Sequence, residues 1–129
     1  MHPEMFWLGM SILLCLVIWI PYTALYGGLV GFKTGSIAPP PHDKLPPWAL
    51  RLHRSHINLL ESLVPLVALI LMLKTMGKVE DTTATAAAIF FFARVAHAIT
   101  YALGVPWVRP VFFTIGWLVN CYLLWKVLV

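Results

Sequence analysis

Charge is scarce in this sequence. Five acidic and nine basic residues are spread over 129 positions, so that 11% of the chain is charged and 60% is hydrophobic. With a mean hydropathy of +0.85, this composition excludes a soluble globular domain of ordinary make-up and describes an integral membrane protein. Cysteine is scarce too. Cys15 and Cys121 both lie inside apolar runs, without the Cys-x-x-Cys or Cys/His spacing of a zinc site, and read as small buried hydrophobes; no metal is expected. The net charge of +4 comes without a basic run or an aromatic-studded basic patch. Nucleic acid is therefore not an expected partner, and the excess fits loops lying against anionic headgroups. No internal repeat or low-complexity segment is present. The first apolar run follows His2 and Glu4 instead of a basic segment and exceeds the length of a signal-peptide core, so it is expected to be retained.

What is present is a set of four apolar runs in a chain just long enough for four crossings of about 20 residues each, leaving no room for a separate soluble domain. Residues 1–129 are thus expected to form one all-α domain, an integral membrane four-helix bundle. The spans are expected at Met5–Phe32, Pro47–Leu73, Thr82–Leu103 and Pro110–Leu128. Pro21 and Pro65 should bend the first and second. Gly27-x-x-x-Gly31 matches a close-packing motif of membrane helices, and a fraying helix end is the alternative. Between spans one and two, Thr34 to Pro47 collects five prolines and reads as an ordered extended loop. Lys33, Lys44, Arg51, Arg54 and Arg109 fall on the side of loops one and three, against Lys74, Lys78 and Lys126 on the other. The positive-inside rule therefore favours loops one and three facing the cytoplasm.

Two of the spans carry polar stripes. At 3.6 residues per turn, Arg54, Asn58 and Glu61 fall within an arc of about 60°, and Arg94, His97 and Tyr101 do the same on span three. A charge in a bilayer costs on the order of 3 kcal/mol or more at mid-depth, so both stripes should turn toward other helices. Counting about 1.5 Å per residue puts Glu61 and Arg94 roughly 22 Å and 15 Å from the loop-one and loop-three face. The two are expected to pair, an arrangement that can also serve only to fix helix register. Arg54, Asn58, His97, Tyr101 and Arg109 would then line a donor-rich pocket near that face, suited to a carboxylate-bearing ligand. His53 and His56 read as solvated or lipid-facing.

Arg54-Ser-His-Ile-Asn-Leu-Leu-Glu61 with Pro65, then Arg94-Val-Ala-His-Ala-Ile-Thr-Tyr101, then an arginine after a proline-containing turn, resembles the membrane-associated proteins in eicosanoid and glutathione metabolism (MAPEG). The similarity covers about residues 47–128. It implies a homotrimer of four-helix subunits that binds glutathione as co-substrate between neighbouring subunits, acting as a transferase or peroxidase on a hydrophobic small molecule drawn from the lipid. A non-catalytic subunit of the same fold is the alternative. By position, Arg54, Asn58 and Glu61 match residues that hold or frame glutathione, and His97 and Tyr101 match contacts on the facing helix. Arg109 matches the arginine that stabilises the glutathione thiolate. Ile57 stands where the prostaglandin synthase branch has a further basic residue, Phe113 stands near an expected tyrosine, and no arginine precedes Arg51. Set against that branch, these departures imply a grip on glutathione that is weaker, different or lost.

Overall fold

The apolar runs become four long helices in the computed structural model, which describes residues 1–35, 37 and 45–129. They are α1 (Pro3–Val30), α3 (Pro47–Thr75), α4 (Asp81–Ala102) and α5 (Val108–Leu128); the single turn α2 (Phe32–Gly35) follows α1. All four long helices are long and apolar enough to cross a membrane, and their ends lie within two residues of the expected spans. At about 1.5 Å per residue α1 and α3 exceed the roughly 30 Å of a hydrocarbon core, so they tilt or protrude. Of the proline-rich stretch expected as an extended loop, residues 36 and 38–44 lie outside the described residues.

Local chemistry sets the helix ends. Pro47 stands at the first turn of α3, where its missing N–H leaves no bond unmade. Glu80 and Thr83 form a capping box at the start of α4, each satisfying an amide that the helix leaves without a partner. Gly77 ends α3 and Gly104 ends α4, at φ of 67° and 77°. Each is followed by an amide that reaches back five residues, Lys78 to Leu73 O and Val105 to Thr100 O, a closure that needs the left-handed conformation glycine adopts freely.

The Gly27/Gly31 pair serves its own chain. Gly31, at φ 81°, donates its amide to Gly27 O at 2.9 Å, and the Phe32 ring folds back so that a Cβ on Gly27 would come within 2.6 Å of it. The expected helix–helix packing role is thus filled by a helix stop and an intramolecular contact.

Helices α3 and α4 form the centre. Both α1 and α5 pack against this pair, and among the described residues the backbones of α1 and α5 do not approach each other closely. Leu59, Leu63, Leu66, Ile70 and Leu73 of α3 meet Ala86, Ala87 and Phe90 of α4, with Leu8 and Cys15 of α1 and Val119, Leu123 and Val127 of α5 completing the core. The alanines of α4 let its neighbours approach closely, the usual way membrane helices gain packing contact. Leu16, Val64, Phe92, Trp117 and Trp125 point outward, as side chains do when the surrounding solvent is itself apolar.

At the α3–α4 turn the bundle is tied by ion pairs. Lys74 Nζ reaches Glu4 Oε1 at 3.2 Å, joining the last turn of α3 to the first of α1. Lys126 of α5 binds Glu80 Oε2 and Thr82 Oγ1. Near mid-span, Pro65 deprives the Glu61 carbonyl of its helical donor. One residue on, Ser62 O accepts the Asn120 side-chain amide of α5 at 2.9 Å, which fastens α5 beside the interrupted ladder.

Candidate functional site

The two polar stripes lie on different kinds of surface. On α3, Arg54 and Glu61 are exposed and Asn58 is half-buried, whereas on α4 Arg94 and His97 are fully buried and Tyr101 is half-buried. The α3 stripe therefore turns away from the core of its own bundle, contrary to the expectation that its own helices would cover it. Nor do Glu61 and Arg94 form the expected ion pair. Nε, Nη1 and Nη2 of Arg94 are buried with no hydrogen-bond partner among the described residues. The two stems diverge: Arg94 Cδ lies beside α5, 3.6 Å from where a Cβ on Gly116 would sit, while Glu61 lines the cleft between α3 and α5.

Around Tyr101 the structure gathers several of the expected residues. The Arg109 guanidinium lies over the Tyr101 ring at 5.0 Å from its centroid, a cation–π arrangement that leaves the cation charged and able to face a ligand. The His97 ring also packs against Tyr101, at 5.6 Å between centroids, and its Nδ1 is hydrogen-bonded to Ser55 Oγ at 3.1 Å. Buried as it is, His97 touches the site through Tyr101 and α3, not through open space; its Nε2 has no partner among the described residues.

Three recesses adjoin these residues. A cleft of about 490 Å³ is lined by Asn58, Glu61, Arg109, Pro110 and Phe113. Through Glu61 and Phe113 it runs into an apolar groove of about 430 Å³ along α3 and α5, past Pro65, Trp117, Cys121 and Leu124. On the other side of Arg109 a recess of about 340 Å³ is bounded by Arg51, Tyr101, Gly104 and Trp107. Asn58, Glu61 and Arg109 thus share one cleft, with Tyr101 behind Arg109; Arg54 is exposed on the same α3 face and lines none of these recesses. A polar mouth continuous with an apolar groove is able to seat a charged, water-soluble molecule next to a hydrophobic one.

Sequence reasoning missed Arg51, whose Nε and Nη2 donate to Ala102 O at 3.2 and 3.0 Å, and Ser55, the partner of His97. Both lie on one helical face, at i and i+4, and that spacing was available as a signal. The surface roles expected for His53 and His56 are corrected. His56 Nδ1 shares a 2.7 Å hydrogen bond with the Tyr22 hydroxyl, its Nε2 lies 3.7 Å from Cys15 Sγ, and His53 packs on the Tyr22 ring at 4.9 Å. The two histidines join α3 to α1. Among the described residues no three His, Cys, Asp or Glu side chains gather to hold a metal ion.

The sequence model of the MAPEG family matches residues 6–129, nearly the whole chain and all of the site residues named above. The chain belongs to the MAPEG family. Comparison with curated proteins and with solved structures gave no match. Four membrane-crossing helices together with MAPEG membership make this a multi-pass integral membrane protein.

Proposed function

We propose that this MAPEG protein is a glutathione-dependent transferase or peroxidase that acts on hydrophobic electrophiles within the membrane, as a homotrimer with loops one and three in the cytoplasm. The observation that carries this reading is Arg109: an exposed guanidinium fixed over Tyr101 at the rim of a cleft it shares with Asn58 and Glu61. The donor set fits glutathione. A tripeptide with two carboxylates, an ammonium and a thiol finds Arg109 for the thiol, an anion at Glu61 and an amide at Asn58 in the cleft, with Arg54 on the same α3 face for a carboxylate, and the cleft volume lies in the range of small-ligand sites. Bound there, glutathione would supply the nucleophilic thiol.

The chain's own part is a matter of charge. A guanidinium beside a thiol favours the thiolate, and each unit of thiol pKa depression corresponds to about 1.4 kcal/mol. Tyr101 orients Arg109, and His97 and Ser55 behind it hold the ring in place. The apolar groove past Pro65 and Trp117 excludes water and receives the electrophile. One observation favours a non-catalytic membrane subunit of the same fold: His97 is packed where no ligand in the cleft reaches it.

Turnover of a soluble test electrophile with glutathione, by the protein purified in micelles, separates the two readings. Arg109→Ala should lower turnover severalfold at neutral pH and leave glutathione affinity nearly unchanged, and the deficit should shrink at alkaline pH, where the thiol ionises unaided. A loss equal at every pH would mean that Arg109 does not act on the thiol. No turnover in the wild type, with no heat on mixing with glutathione, would leave the non-catalytic reading.

A further inference from the structure

We propose that Arg51 is a positioning residue of this site: anchored in α3, it holds the α4–α5 turn so that Arg109 stays over Tyr101. The proposal deepens the reading of Arg109 given above and rests on it for its consequence in turnover, though not for its geometry.

The need for such a residue arises in the backbone. The last carbonyls of a helix lack intrahelical donors. Ala102 O would take the amide four residues on, but residue 106 is proline and has none. The neighbouring amides are already engaged, Gly104 with Tyr101 O and Val105 with Thr100 O, each at 3.0 Å. Arg51 fills the gap with two donors, Nε at 3.2 Å and Nη2 at 3.0 Å, and brings a cation to the negative end of α4. The turn is moulded on it: a Cβ on Gly104 would lie 3.2 Å from both Cζ and Nη2 of Arg51.

Beyond the clamp the connection is short. Only residues 103–107 separate α4 from α5, and the last of them, Trp107, holds φ at 67°, a left-handed conformation that a bulky residue keeps only when its surroundings impose it. Arg109 is the second residue of α5. With Ala102 released, the turn can relax, Trp107 can return to an ordinary φ, and the first turn of α5 can rotate Arg109 off Tyr101. Lysine cannot replace the clamp, because a single ammonium does not reproduce the two-pronged planar donor.

The test uses the full chain in micelles, as wild type, Arg51→Met and Arg51→Lys. Hydrogen exchange followed by mass spectrometry over residues 98–110 should show faster exchange of the Gly104 and Val105 amides in Arg51→Met, and only partial protection in Arg51→Lys. In glutathione turnover Arg51→Met should lose severalfold at neutral pH, recover toward alkaline pH as Arg109→Ala does, and lose nothing more when combined with Arg109→Ala. Glutathione affinity should hold. Exchange that is unchanged in Arg51→Met would overturn the proposal. So would a loss additive with Arg109→Ala, or weaker glutathione binding with unchanged exchange, which would make Arg51 a ligand contact. If the wild type shows no glutathione turnover, the functional reading fails, and the exchange experiment alone still decides whether Arg51 holds the turn.

Discussion

Two glycines with nearly the same backbone and different surroundings allow one contact to be weighed. Gly77 and Gly104 both end helices with positive φ, 67° and 77°, and both are followed by the same five-residue amide return. Alanine at either position must hold a left-handed conformation, at about 1–2 kcal/mol. Beyond that they part. An added Cβ on Gly77 meets nothing within 4 Å, whereas on Gly104 it lies 3.2 Å from the Arg51 guanidinium, which is fixed by its two bonds to Ala102 O and cannot retreat without stretching them. Hydrogen bonds from a charged donor contribute about 1.5–3 kcal/mol. The 3.2 Å contact asks the guanidinium to shift by a few tenths of an ångström, which weakens those bonds without breaking them, so Gly104→Ala should destabilise by about 1 kcal/mol more than Gly77→Ala. Reversible unfolding in mixed micelles, with the denaturing detergent titrated and tryptophan fluorescence recorded, measures both. In an Arg51→Met background the guanidinium is gone, and Gly104→Ala should fall to the cost of Gly77→Ala. Equal losses for the two glycines in the wild-type background, or a Gly104→Ala loss that Arg51→Met leaves unchanged, would refute the reasoning.

Two further outcomes concern other charges. The Lys126 hydrogen bond holds the Glu80 carboxyl below its ordinary value of 4.5. A depressed acid contributes stability that is present above its unfolded pKa and is lost as the pH falls through the lower folded one. Thermal unfolding followed downward through about pH 4 should therefore show a shallower acid limb in Glu80→Gln, which keeps the capping box and drops the charge; parallel limbs in variant and wild type would rule the pair out as the cause. Arg94→Met should leave the subunit as stable or raise its stability by about 1–4 kcal/mol, because a buried guanidinium without an acceptor is replaced by an apolar side chain of similar length. A clear fall in melting temperature would mean that Arg94 is partnered in the assembled protein, with Glu61 the first carboxylate to inspect.

How far the sequence could be read depended on what kind of information each feature carries. The spans were legible because crossing a bilayer fixes the length of an apolar run, and Pro47, Gly77 and Gly104 mark helix ends through their own stereochemistry. The helix-face arcs were legible too: Asn58 and Glu61 do share a cleft with Arg109, and His97 and Tyr101 do lie together. What periodicity could not supply is the neighbour. It groups Arg94 with His97, but whether an arginine stem turns toward Glu61 or lies beside Gly116 of α5, as it does, depends on how the helices pack, which leaves no polar signal in the sequence. It groups His53 with His56, but whether they meet lipid or Tyr22 depends on the rotation of α1, whose apolar surface carries almost no preference. Arg51 is an intermediate case. Its partner is a backbone carbonyl and so invisible to any pairing of side chains, yet the vacancy it fills is written four residues downstream, in a proline that cannot donate to Ala102. A helix-terminal carbonyl whose i+4 residue is proline is a vacancy visible in the sequence, and Arg51 is among the few cations on an adjacent span placed to fill it. Charged residues in membrane bundles are then better sought by asking which backbone group lacks a donor than by asking which opposite charge is available.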